Sequence, residues 1–198
     1  MTKGTATHRK MGRAFTYFTI VVCLSATIGS VFFRFIPMFA VLTVLVAFQL
    51  LSGWHVIYTK SMGPSRVDLL LTSCAALFGG LLLMRVLSAP STGSTSSVVV
   101  YSSLGTLAFL ISYDLLRWVF PKSWHAKLWR YEHIYKLISA LFAMVSAFIG
   151  NVIRFGQPYS QIAPSIIGLF TIGWFFWMNY RQPMTGRLAA AERQVATD

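Results

Sequence analysis

Residues 36–58 read IPMFAVLTVLVAFQLLSGWHVIY and carry no Asp, Glu, Lys or Arg. As a helix this stretch would be about 34 Å long at ~1.5 Å per residue. That is enough to cross a hydrocarbon core of ~30 Å. The run shows no period-2 alternation of the kind a barrel strand needs, and a helix satisfies its own backbone in lipid. Pro37 suits a helix start, and Ser61-Met62-Gly63-Pro64-Ser65 breaks the chain after it.

Working outward, five further segments have the same character: residues 14–33, 67–87, 98–120, 133–153 and 162–180. Arg34-Phe35-Ile36-Pro37 closes a tight hairpin before the first run quoted. Residues 88–97 (SAPSTGSTSS) form a polar loop, Pro121 ends the fourth segment, and Gly156-Gln157-Pro158 separates the last two. The expected fold is all-α, a polytopic bundle of six transmembrane helices over residues 1–182. Residues 183–198 form a polar cytoplasmic tail, as a short helix or a disordered end. The first apolar stretch is longer than the ~7–15 residues of a signal-peptide core and no A-x-A site follows, so it reads as a retained span.

Composition agrees. Of 198 residues 56% are hydrophobic and only 11% charged, against about 25% charged in soluble domains. There is too little polar surface to face water. The net charge of +12 would suggest nucleic acid in a soluble domain. Here the basic residues flank apolar runs, so they mark topology and a nucleic-acid partner is excluded. With the N-terminus inside, only Arg34, Arg85 and Arg154 of the 17 Lys and Arg lie outside, leaving 14 inside. The expected orientation is N-in/C-in, multi-pass in the cell inner (plasma) membrane. The bilayer is the first partner, with membrane-protein partners or a homo-oligomer beyond it. Cys23 and Cys74 lie in apolar runs without metal-ligand spacing and read as small packing residues.

Ionisable residues gather towards the inner leaflet, including all four histidines and all five acids. Asp114 lies about 9 Å inside the fourth span at ~1.5 Å per residue, where a charge costs about 2.5–3.5 kcal/mol. Arg117, at i+3, is the expected partner. The plainer reading is a structural pair with Arg117 snorkelling outward; the sharper one is a proton or ligand path. Glu132 and Lys136 make an i,i+4 pair at the start of the fifth span, and His133 between them is an inward-facing ligand candidate. Asp68 opens the third span. The ligand or proton-path candidates are therefore Asp68, Asp114, Arg117, Glu132 and His133. His8, His55 and His133 are candidates for a haem b pair, since two histidines on different helices at similar depth can ligate iron. Zinc among His55, Asp68, Asp114 and His133 lacks tight ligand spacing, and no metal is assigned.

Small residues repeat at i,i+4 in Ser25-Gly29, Ala75-Gly79, Ala76-Gly80 and Ser139-Ala143-Ala147, a spacing that lets helices approach closely. No P-loop, Gly-x-Ser-x-Gly elbow, His-Glu-x-x-His site or dinucleotide fingerprint is present. Catalytic residues are accordingly unassigned.

Lys3-Gly4-Thr5-Ala6-Thr7-His8-Arg9-Lys10-Met11-Gly12-Arg13 resembles the K-G-x-x-x-H-R-x-x-G-R stretch of a bacterial predicted-membrane-protein family of unknown function, the twenty-three-oh-six domain-of-unknown-function family. Ser52-Gly53-Trp54, Asp68, His133 through Asn151, Pro164 and Gly168 look similar as well. The resemblance implies a helical membrane bundle without an assigned activity. In such proteins the first stretch usually follows an earlier span, whereas here it starts the chain. His8 and His133 match that pattern and His55 does not. The leading expectation is a non-enzymatic transporter-like or accessory bundle, or a subunit of a larger membrane complex. The alternatives are a haem b redox protein and a membrane enzyme using Asp114, Glu132 and His133 on a lipid or quinone.

Overall fold

A computed structural model describes residues 6–33, 35–88, 97–153, 156 and 159–195; the side chains of 97, 151 and 182–195 are outside the description. The described residues are helical apart from short connections. The helices are α1 (Ala6–Ile28, continued as a π-helical turn Gly29–Phe33), α2 (Pro37–Thr59), α3 (Arg66–Ser88), α4 (Ser97–Leu116), α5 (Lys122–Val152) and α6 (Tyr159–Val195). All six are long and apolar enough to cross a membrane.

Several helices outrun their apolar segments. α1 begins eight residues before residue 14, at Ala6, and α5 begins at Lys122 rather than near 133. The stretch 122–132 is polar, but its Lys, Trp, Arg and Glu residues are compatible with a helix and Pro121 occupies the N-cap. α6 continues through the expected tail to Val195. Arg34 and Arg154, two of the three arginines read as external, lie outside the described residues.

α2 is the central helix. It packs on α1, α3, α4 and α5, while α6 packs on α5. Its most apolar window is 56% buried, against 11–33% in the other five, so the charge-free stretch that decides the fold also supplies its core. Met38, Val41, Leu42, Leu45 and Phe48 of α2 meet Ala75 of α3 and Val99, Leu107 and Leu110 of α4. The outward-facing Phe, Leu, Ile and Val side chains of α1, α3 and α6 are exposed; in lipid that is an ordinary surface rather than a loss.

The turn from α2 to α3 needs its glycine. Gly63 has φ +86°, and a Cβ there would lie 3.0 Å from the imidazole of His125 in α5. The small-residue stripes divide. Ala75 and Gly79 are buried towards α4, with Leu107 in the space a Gly79 side chain would fill, whereas no neighbour lies within 4 Å of a Cβ at Gly80 or Gly29.

Candidate functional site

At the end of the bundle where α2 runs out and α3 begins, five ionisable side chains turn inward. Asp68, Asp114, Arg117, Glu132 and Lys136 are each at most 6% exposed, and Lys136 is fully buried. They come from α3, from the end of α4 and its following turn, and from α5.

Ser65 and Asp68 start α3 as a capping box. The Ser65 N–H donates to Asp68 Oδ2 at 2.7 Å and the Ser65 hydroxyl at 2.9 Å, while Ser65 Oγ accepts from the N–H of Val67. The cap fixes Oδ2 and leaves Asp68 Oδ1 facing Arg117 Nη1 at 3.8 Å, with no hydrogen-bond partner. His55 Nε2 lies 2.8 Å from Ser65 Oγ and 3.5 Å from Asp68 Oδ2, at the partly exposed edge of the cluster.

Arg117 follows the last turn of α4 in a short 3₁₀ turn, Arg117–Val119, where a cation complements the negative helix end. Its Nη1 is 2.8 Å from Glu132 Oε1 and 3.6 Å from Asp114 Oδ1. The approach to Glu132 is a close ion pair without hydrogen-bond alignment, since both Nη1 and Nε lack an acceptor.

Lys136 is the centre. Its Nζ donates to Asp114 Oδ1 at 2.8 Å, to Asp114 Oδ2 at 3.1 Å and to Glu132 Oε1 at 2.8 Å. All three ammonium donors are thereby used. The Phe48 ring of α2 lies 5.7 Å from Nζ, within cation–π range. Gly53 makes room for the stem, because a Cβ on Gly53 would sit 2.8 Å from the Cβ of Lys136. The Gly53 carbonyl also lies 2.8 Å from His133 Nδ1, tying α5 to α2 a second time.

Two cations and three carboxylates give the five-member set a formal charge of 2 − 3 = −1. Burying such a set is costly unless its members are paired.

Four of the sequence candidates, Asp68, Asp114, Arg117 and Glu132, are therefore brought together. One expectation is corrected: Arg117 does not snorkel outward, being 2% exposed and facing the carboxylates. Its expected i,i+3 pairing with Asp114 is present at 3.6 Å, and Lys136 on another helix lies nearer still at 2.8 Å. The i,i+4 pair of Glu132 and Lys136 is present at 2.8 Å and is buried in the interior. Lys136 was recognisable from its four-residue spacing between Glu132 and Ala140, both on the buried face.

His133 stands beside the network but turns to Gly53, and His8 lies near the start of α1 on an exposed surface. His55 Nε2 is within bonding distance of Ser65, and two cavities in the bundle, walled among the described residues without a histidine, lie away from it. Among the described residues no group of three His, Cys, Asp or Glu could hold a metal ion.

One of those cavities lies directly beside the network. About 350 Å³ in volume, it is bounded by α2, α4, α5 and α6, and its α5 wall runs from Tyr135, next to Lys136, to Ser146. That wall extends roughly 16 Å at ~1.5 Å per residue. Gln49 lies near the network, one turn before Gly53, and Gln161 near the opposite end, beside Gly150. The sequence pattern does not single out either amide, although Gln49 is conspicuous in the apolar run AFQLL. Network and cavity together extend polar groups through much of the bundle's length.

No family model, curated protein or solved structure matches this chain.

Proposed function

We propose that this chain is a non-enzymatic, transporter-like bundle of the bacterial inner membrane, with both termini cytoplasmic and the charge network at the cytoplasmic end of a solute path. The observation that carries the reading is Lys136, fully buried and held by Asp114 and Glu132, with a cavity whose wall begins at the preceding residue, Tyr135. A static bundle has no need of a net-charged set in its interior, where ionisable residues characteristically mark substrate, ion or proton pathways. Paired charges contributed by α3, α4 and α5 can exchange partners as helices shift, which is the bistable element that alternating access requires. The 14-to-3 basic bias supports the orientation. The quoted N-terminal motif supports a place in the bacterial family it resembles.

Asp114 and Glu132 are neutralised by Lys136 rather than presented to a lipid or quinone, so the enzyme alternative has less support. The test is solute passage. Proteoliposomes are challenged with osmotic gradients of neutral, cationic and anionic small solutes, and re-swelling is followed by light scattering. Protein-dependent entry of one solute class is expected. Rates equal to protein-free liposomes for every class would remove the transport reading.

A further inference from the structure

Gln49 and Gln161 line the same cavity, are 1% and 3% exposed, and each has a side-chain oxygen with no hydrogen-bond partner. An unsatisfied buried acceptor costs about 1–3 kcal/mol. Two of them on one cavity mark places where a donor is missing.

The hydroxyls between them have the same bias. Ser102 donates to the Val99 carbonyl at 3.1 Å and Thr106 to the Ser102 carbonyl at 2.8 Å. Ser146 and Ser165 share a hydrogen bond at 3.3 Å, so one of the two donates to the other. With the protons of Ser102, Thr106 and one of the two paired serines spent on the protein, their oxygens offer lone pairs. The wall is thus rich in acceptors. Among the described residues it includes no charged side chain; the rest are the hydroxyls of Ser103, Tyr135 and Ser139, two small residues, and Leu, Val, Ile and Phe. A cation or an anion entering it would lose its hydration without meeting a counter-charge.

We infer that this cavity is a binding site for a small, uncharged polyol group whose O–H donors satisfy Gln49 and Gln161. Its volume falls at the lower end of the ~300–1,000 Å³ found for small-molecule sites. The same chemistry occurs in free polyols and in the glycerol head of a monoacylglycerol. The inference deepens the transport reading and rests on it for its meaning, but binding can be measured without flux.

The experiment uses the full chain in phosphatidylcholine nanodiscs and labelled erythritol, with erythritol tetramethyl ether as a control that keeps the carbon chain and removes every donor. Saturable erythritol binding, not displaced by the ether, is expected. Gln49→Leu and Gln161→Leu should each weaken it about three- to tenfold, the worth of one hydrogen bond. These variants replace amides whose buried oxygens are unpartnered with apolar side chains of similar size, so their unfolding midpoints should stay close to wild type. Displacement by monoacylglycerol doped into the discs assigns the site to a lipid head; its absence assigns the site to a free polyol. Displacement by the ether, binding unchanged in both glutamine variants, or no saturable binding of either polyol source would overturn the inference. Polyol binding without solute flux would uphold the site and remove the transport reading; flux of another solute without polyol binding would do the reverse.

Discussion

Replacing Lys136 by methionine keeps most of the stem that lies on Gly53 and removes the ammonium. Three hydrogen bonds of 2.8–3.1 Å go with it. The formal charge of the set falls from −1 to −2. Glu132 keeps Arg117 at 2.8 Å, but Asp114 is left with Arg117 at 3.6 Å as its nearest cation. Removing one partner of a buried pair costs about 3–5 kcal/mol because the other charge stays buried, a large part of a typical stability of ~5–15 kcal/mol. Removing both partners is different. Asp114→Leu with Lys136→Met restores a charge of −1 and leaves the Glu132–Arg117 pair in place. The double variant should lose less than about 1.5 kcal/mol, giving a favourable coupling of roughly 2–3 kcal/mol in the double-mutant cycle. Steric trapping in bicelles, or reversible unfolding in SDS, measures all four corners. A single variant within ~0.5 kcal/mol of wild type, or strictly additive losses, would refute the placement of Lys136 between the two acids.

Glycine substitutions separate the real helix contacts from the apparent ones. Gly53→Ala should cost about 1–3 kcal/mol by pushing α5 off α2 at Lys136, whereas Gly80→Ala, with nothing within 4 Å, should be neutral or slightly stabilising in the same unfolding assay. Ser65→Ala removes the α3 cap and the oxygen beside His55. A loss of about 0.5–2 kcal/mol is expected, with faster hydrogen exchange confined to the first turn of α3. Reporter fusions test orientation: a C-terminal alkaline phosphatase should be inactive and a C-terminal green fluorescent protein bright, and the opposite pair would reverse the topology.

The spans were legible because lipid imposes one requirement on every crossing helix, and runs such as 36–58 meet it residue by residue. The acidic members of the network were legible for the same reason: Asp114 is conspicuous where charge is expensive. What could not be read was facing. Arg117 was assigned outward because a long side chain near a helix end can snorkel, and only the arrangement of α4 against α3 and α5 shows that it points at Glu132. Lys136 looked like half of a surface i,i+4 pair because sequence shows its neighbour on the same helix but not Asp114, 22 residues away on another. Gln49 and Gln161 were overlooked because an uncharged amide carries no charge penalty to flag it. Their significance appears only when two unpartnered oxygens are found on one cavity.

The double neutral variant also gives the cleanest view of function, since it should fold while lacking the central ion pair. Solute entry measured side by side, in proteoliposomes of wild-type protein and of Asp114→Leu/Lys136→Met at matched protein content, tests whether the network works or merely holds. The account predicts that the wild type passes its solute class and the folded double variant loses at least tenfold of that rate. Equal rates would contradict it and leave the network a structural lock.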